Sequence, residues 1–186
     1  MALHDPSPKL TYDDYARIPD DGQRHEIIDG EHYVTPAPRT SHQRSSNRLS
    51  SRMTVFVERH DLGEIFVAPC DVVLSEHDVV EPDILFVSKE RAGIITEENV
   101  QGAPDLVVEI LSEATRRRDQ GIKRERYERF GVGEYWLVDP FRKTATIYLR
   151  TEHGFRQAAV LSAEAGDILT TPLLPGLTIP LTEIFG

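Results

Sequence analysis

Two acids carried on apolar, strand-like runs are the residues best placed to do chemistry. Asp83 sits in Pro82-Asp83-Ile84-Leu85-Phe86-Val87, and Glu109 in Asp105-Leu106-Val107-Val108-Glu109-Ile110-Leu111. A carboxylate buried among aliphatic neighbours is costly unless paired, and a shared hard cation is one way to pair two of them. The two positions are 26 residues apart, which lets neighbouring strands bring both side chains to one edge of a sheet. With oxygen donors only and a single cysteine, Cys70, the pattern favours magnesium or manganese over a thiolate zinc cage. Ion pairing with one of the arginines is the competing reading.

A hard cation of this kind suits phosphodiester cleavage, which also needs a positive group to orient water or stabilise developing charge. Lys123, on the helix expected after the Glu109 run, is the candidate; taken alone, a helical lysine reads as a solvated surface group. The net charge of −10 argues against wholesale attraction to nucleic acid. Local basic stretches oppose that total: four arginines without an acid over residues 37–52, and seven basic against three acidic residues over 116–129. Arg44, Arg48, Arg117 and Arg118 are therefore candidate guides for a phosphate backbone, against the plainer reading of solvated helix faces. His42 could touch phosphate or a partner subunit, or simply cap and pack. Asp105 shares the odd-numbered face of Glu109 and could join a metal site, though turn formation after Pro104 accounts for it equally. Tyr127 could hydrogen-bond within the site, whereas Tyr135 and Trp136 read as core.

These residues need elements to hold them. Thr11 reads as the N-cap of a short helix. Arg24-His25-Glu26-Ile27-Ile28 and Glu31-His32-Tyr33-Val34-Thr35 flank Asp29-Gly30, the signature of a tight hairpin. Leu49, Met53, Phe56 and Val57 have amphipathic spacing within a helix over 41–60. Strands are expected over 63–69, 71–75, 82–87, 105–111, 134–138, 145–149 and 155–161, with a helix over 117–130 that Gly131 ends. Residues 89–102 read as a mobile polar connection, and the tail as a turn with at most a short terminal helix. The order implies one α+β domain over residues 1–186: a mixed central sheet flanked by helices, with added antiparallel strands in the N- and C-terminal parts. No 18-residue apolar run or secretory leader is visible, so the expectation is a cytoplasmic protein without membrane contact.

The series His25-Glu26-Ile27-Ile28-Asp29-Gly30-Glu31, Pro36-Ala37-Pro38 with His42, Pro82-Asp83, Ala103-Pro104-Asp105-Leu106-Val107-Val108-Glu109-Ile110-Leu111-Ser112, Gly121-Ile122-Lys123, Tyr127 and Gly131-Val132-Gly133-Glu134-Tyr135-Trp136-Leu137-Val138-Asp139-Pro140 resembles the Uma-type restriction endonuclease family, within the PD-(D/E)XK nuclease superfamily. The resemblance runs from Thr11 to Phe185. It implies a restriction endonuclease-like core that binds one or two divalent metals and hydrolyses DNA. Pro82-Asp83 matches the PD element and Glu109 the acidic position, with the Ile110 carbonyl as an additional metal ligand. Leu111 stands where the superfamily usually carries its lysine, and the resemblance assigns that role to Lys123. Glu26 resembles the accessory acid of such nucleases, or is a strand residue beside the hairpin. Cutting both strands of a duplex favours a homodimer. The alternatives are a nuclease-like scaffold that binds nucleic acid or protein without hydrolysis, and a two-carboxylate glycosidase, for which no carbohydrate-stacking groove is evident.

Overall fold

The computed structural model describes residues 8–186. Thr11 caps α1 (Tyr12–Tyr15) through a reciprocal capping box with Asp14. Strands β1 (Arg24–Ile28) and β2 (Glu31–Thr35) form the expected hairpin, in which Asp29 and Gly30 take φ of 56° and 78°. That left-handed pair matches the twist of the flanking strands. Helix α2 (Thr40–His60) turns Leu49, Met53 and Val57 inward. Next come β3 (Gly63–Val67), β4 (Val72–Ser75), β5 (Asp78–Val80), β6 (Ile84–Ser88), β7 (Val100–Gln101) and β8 (Leu106–Ile110).

A helical stretch then runs from α3 (Arg116–Arg118) to α4 (Arg124–Phe130) through a wide π-helical turn at Asp119–Lys123. Gly131, with φ of 97°, ends it in the left-handed conformation that a side chain would oppose. The chain finishes with β9 (Glu134–Asp139), β10 (Thr144–Thr151), β11 (Gly154–Ser162), the small pair β12 (Ile168–Leu169) and β13 (Ile179–Pro180), and α5 (Leu181–Phe185). None of the described helices is long and apolar enough to cross a membrane.

Six strands form the central sheet in the order β11-β10-β9-β8-β6-β3, with only β8 and β9 parallel. A five-stranded sheet, β2-β1-β5-β4-β7, carries the N-terminal hairpin. The mixed α+β architecture with antiparallel additions at both ends is thus the one expected. Strand alternation splits the core in two. Leu106, Val108 and Ile110 of β8 join Leu49, Met53 and Val57 of α2 on one face, while Val107 and Leu111 join Tyr127, Tyr135 and Leu137 on the other. Glu109 shares the second face, so an acid interrupts an otherwise apolar surface.

The polar stretch 89–102 departs from expectation. It forms a 3₁₀ turn over Lys89–Ile94 and the short β7, with Asn99 and Val100 buried. Thr96 accepts and donates hydrogen bonds with Asn99, whose Nδ2 donates to the Tyr12 hydroxyl at 3.0 Å. Ile94 and Ile95 pack on the second core cluster. A few apolar anchors in a polar stretch fix a segment whose average composition signals a loop.

Candidate active site

The pairing register explains why Asp83 and Glu109 meet. In the antiparallel pair β6 and β8, Ile84 lies opposite Val108, so one step further places Asp83 opposite Glu109 on the same face. Asp83 immediately precedes β6 rather than lying within it. Its Oδ2 accepts the Ile110 N–H at 2.7 Å, which pins the carboxylate against the end of β8. Asp83 also receives Arg24 Nη1 on Oδ1 at 3.0 Å and His42 Nε2 on Oδ2 at 3.1 Å. Burial opposes ionisation of Asp83, but His42, Arg24 and the Ile110 N–H outweigh it and hold the carboxyl below its ordinary pKa.

Lys123 enters the same place from the helical stretch after β8. Its Nζ lies 2.5 Å from Glu109 Oε1 and 2.8 Å from Glu26 Oε1, and the residue is only 2% exposed. Tyr127, one turn later, donates its hydroxyl to Glu109 Oε1 at 2.8 Å. The stripe Asp119, Lys123, Tyr127 follows the i, i+4, i+8 spacing of a helix face, and all three residues are buried. Glu26 Oε1 also accepts the Glu81 N–H at 3.0 Å, and Arg118 Nη2 approaches Glu26 Oε2 at 3.3 Å. Burial disfavours ionised Glu26, yet Lys123 and Arg118 keep its pKa low.

Four carboxylates therefore converge, Glu26, Asp83, Glu109 and Asp119, against Lys123, Arg24 and Arg118, with His42 beside them. They line a cavity of about 490 Å³, bordered by Pro36, Pro38 and the Ser112–Thr115 loop. Negative charge is in excess, and Glu109 records it. Burial drives its pKa up, Lys123 draws it down, and Asp119, Asp83 and Glu26 push it up again, to about 8.

The structure separates the remaining candidates, and for Asp105 it corrects the expectation. Asp105 does share the face of Glu109 but lies at the opposite end of β8, where it accepts the Ser88 N–H at 2.7 Å and pairs with Arg91 at 3.1 Å. It takes no part in the cavity. Among the candidate backbone guides, Arg118 lines the cavity and donates to Thr35 Oγ1 at 2.5 Å. Arg44 and Arg117 are exposed outside it, and Arg48 is bonded to the Gly186 carbonyl. His42, which reads from sequence as a cap or packing residue as readily as a ligand, is a buried partner of Asp83. Arg24 and Asp119 escaped sequence reasoning. The only signals were the alternation of Arg24 with Glu26 on β1 and the four-residue spacing of Asp119 from Lys123.

A family model described as "Putative restriction endonuclease", Uma2, matches residues 12–182. The chain belongs to the Uma2 family. The Uma2 fold is also that of a crystal structure titled as a putative nuclease belonging to DUF820 from Anabaena variabilis, with a TM-score of 0.79 and 20% sequence identity. The alignment covers 95% of this chain and 97% of that one. The comparison with curated proteins gives no match. In this Uma2 protein, Leu111 is buried with Val107, Tyr127 and Tyr135.

Among the described residues, no three His, Cys, Asp or Glu side chains form a ready ligand cluster. Lys123 bridges Glu26 and Glu109, while Arg24 and His42 hold Asp83. The donors nevertheless suit a hard divalent ion in kind. Two carboxylates stand in register, and Glu109 makes both its side-chain contacts through Oε1 alone. Because the N–H and C=O of a strand residue point to one edge, the Ile110 carbonyl lies on the Asp83 side, as its N–H does.

Proposed function

We propose that this protein is a divalent-metal-dependent endonuclease that hydrolyses DNA phosphodiester bonds, using a variant PD-(D/E)XK site in which Lys123 replaces the lysine absent at Leu111. The observation that carries the reading is the Lys123 ammonium, buried in one cavity with Asp83 and Glu109 although it comes from the next helix. The family description supports the nuclease class.

Asp83, Glu109 and the Ile110 carbonyl would hold magnesium or manganese, with Glu26 as an accessory acid. Bound there, the ion supplies positive charge that polarises a phosphoryl oxygen and favours ionisation of water. The protein's own groups do the positioning. Arg24 and His42 fix the Asp83 carboxylate, and Tyr127 fixes Glu109. Glu26 holds the Lys123 ammonium inside the cavity, where a rigid positive charge stabilises negative charge developing on the phosphoryl group without reorganisation. Arg118 at the wall, with Arg44 and Arg117 outside it, would guide the anionic backbone; Arg48 is already engaged at the C-terminus. Double-strand cleavage would use a homodimer, which sedimentation of the free protein and its DNA complex checks.

The test is nicking of supercoiled plasmid with magnesium, followed by chelation and by Asp83→Ala and Lys123→Ala. Cleavage that needs the ion and both side chains is expected. Equal nicking by the unaltered and Asp83→Ala proteins would remove Asp83 from the mechanism. A second reading, a scaffold that binds nucleic acid or protein without hydrolysis, is favoured by the ion pairs that already neutralise Glu26 and Glu109. DNA retention without cleavage in the same assay is its signature.

A further inference from the structure

Asp119 is the one acid of the cavity cluster that joins no ion pair among the described residues. It is 2% exposed and borders the cavity, yet among the described residues its carboxylate joins no ion pair, and the Thr115 hydroxyl is the one donor to it. Every other buried acid among the described residues has at least two donors. Asp78 receives Ser75 and the Asp29 N–H, Glu81 receives Arg24, Glu134 receives Trp136 and Thr171, and Asp139 receives Arg116. The Thr115 hydroxyl, which also shares a hydrogen bond with Ser112 at 3.0 Å, lowers the Asp119 pKa as that donor.

An unpaired carboxylate in a protein interior costs free energy, and such groups concentrate at functional sites. This one is held firmly. The Tyr135 hydroxyl donates to the Asp119 main-chain carbonyl at 2.9 Å. The π-helical turn, with Gly121 at φ −108° and ψ −105°, sets the chain between Asp119 and Lys123, and such turns recur at functional sites. Acid and ammonium thus face one cavity from one helical segment.

We propose that Asp119 is the proton acceptor for the water that attacks the phosphodiester. This rests on the hydrolytic reading above. As the water oxygen bonds to phosphorus, one water proton passes to the Asp119 carboxylate. The bond from phosphorus to the leaving sugar oxygen breaks, that oxygen takes a proton from solvent, and Asp119 returns its own to solvent. The charged groups facing Asp119 are Lys123 on its own helix, Glu109 on β8, Glu26 on β1 and Asp83 before β6, with Arg116 one turn earlier. Burial raises the Asp119 pKa, Lys123 and Thr115 draw it back, and Glu26 and Asp83 add to the rise, to about 6. A base in that range is largely ionised at neutral pH and still accepts a proton readily.

The test compares the unaltered protein, Asp119→Asn and Asp119→Glu in magnesium-dependent plasmid cleavage across pH 5–9, with calorimetric magnesium binding and DNA affinity measured alongside. The proposal expects Asp119→Asn to lower kcat about 100- to 1000-fold and to abolish the rising limb of the pH profile. Magnesium affinity, DNA affinity and the melting curve should be preserved, and Asp119→Glu should recover part of the rate. Unchanged cleavage by Asp119→Asn overturns the proposal alone. Loss of magnesium affinity in that variant overturns it too, by making Asp119 an ion ligand. An unaltered protein that binds magnesium and DNA but never cuts overturns the hydrolytic reading, and the acceptor role with it.

Discussion

The two ends of strand β8 carry acids on the same face and treat them in opposite ways. At the N-terminal end, half-buried Asp105 is matched by the Ser88 N–H and one arginine, Arg91. At the C-terminal end, Glu109 shares Lys123 with Glu26 and lies near Asp83 and Asp119 around an open cavity. A structural acid is balanced one to one, whereas the acids at the other end outnumber their fixed cations. Excess negative charge is an expensive arrangement that a divalent ion, a proton or both can relieve.

The sharpest way to break this contrast is to remove Lys123. Lys123→Ala leaves Glu26 and Glu109 buried without their common cation, so we expect cleavage to fall below detection and the ion-free protein to lose about 3–5 kcal/mol. Plasmid nicking and urea unfolding measure the two effects, and added magnesium should restore part of the stability but none of the activity. Undiminished cleavage by this variant would remove the lysine from the chemistry.

The second effect is on pH. Glu109 ionises in the unfolded chain near the ordinary carboxylate range but only at about 8 in the folded protein. The folded state therefore binds more protons at Glu109 in between, so the Glu109 contribution to ion-free stability is fullest below the ordinary range and declines as pH rises towards 8. Urea midpoints across pH 5–8 read this directly. Glu109→Gln, which carries no charge to lose, should flatten the slope, and saturating magnesium should do the same for the unaltered protein.

At the other end of β8, Asp105→Asn should cost about 1–3 kcal/mol through the weakened Ser88 and Arg91 contacts while leaving cleavage unchanged. A rate loss there would erase the distinction between the two ends. The smallest expected effect is at Arg44, exposed on α2. Arg44→Ala should weaken DNA binding modestly and reduce the salt dependence of log affinity by about one phosphate contact, as salt-titrated fluorescence anisotropy would record.

Much of this was legible in the sequence because its signals are local. Asp29-Gly30 specifies a turn by its backbone conformation, and an acid within an apolar run is conspicuous wherever the run goes. Lys123 is singled out both by its place on the helix after the Glu109 run and by the family pattern. What escaped depends on tertiary placement. Parity along β8 puts Asp105 on the Glu109 face but does not say that it lies at the other end. His42 meets Asp83 across 41 positions, and Arg24 meets it across 59. Asp119 reads as one acid in a basic helix because its lack of an ion-pair partner is a property of the assembled cavity. Residues 89–102 look like a loop because Ile94, Ile95 and Val100 are too sparse to make a pattern, although they suffice to anchor it.

The central claim is that side chains 83 and 109 share a hard cation. Anomalous diffraction from crystals grown with manganese tests it most directly. The account predicts a peak at coordination distance, about 2.1 Å, from a carboxylate oxygen of Asp83 and one of Glu109, lost in Asp83→Ala. A manganese peak bound elsewhere, or none at a concentration that supports cleavage, would contradict it.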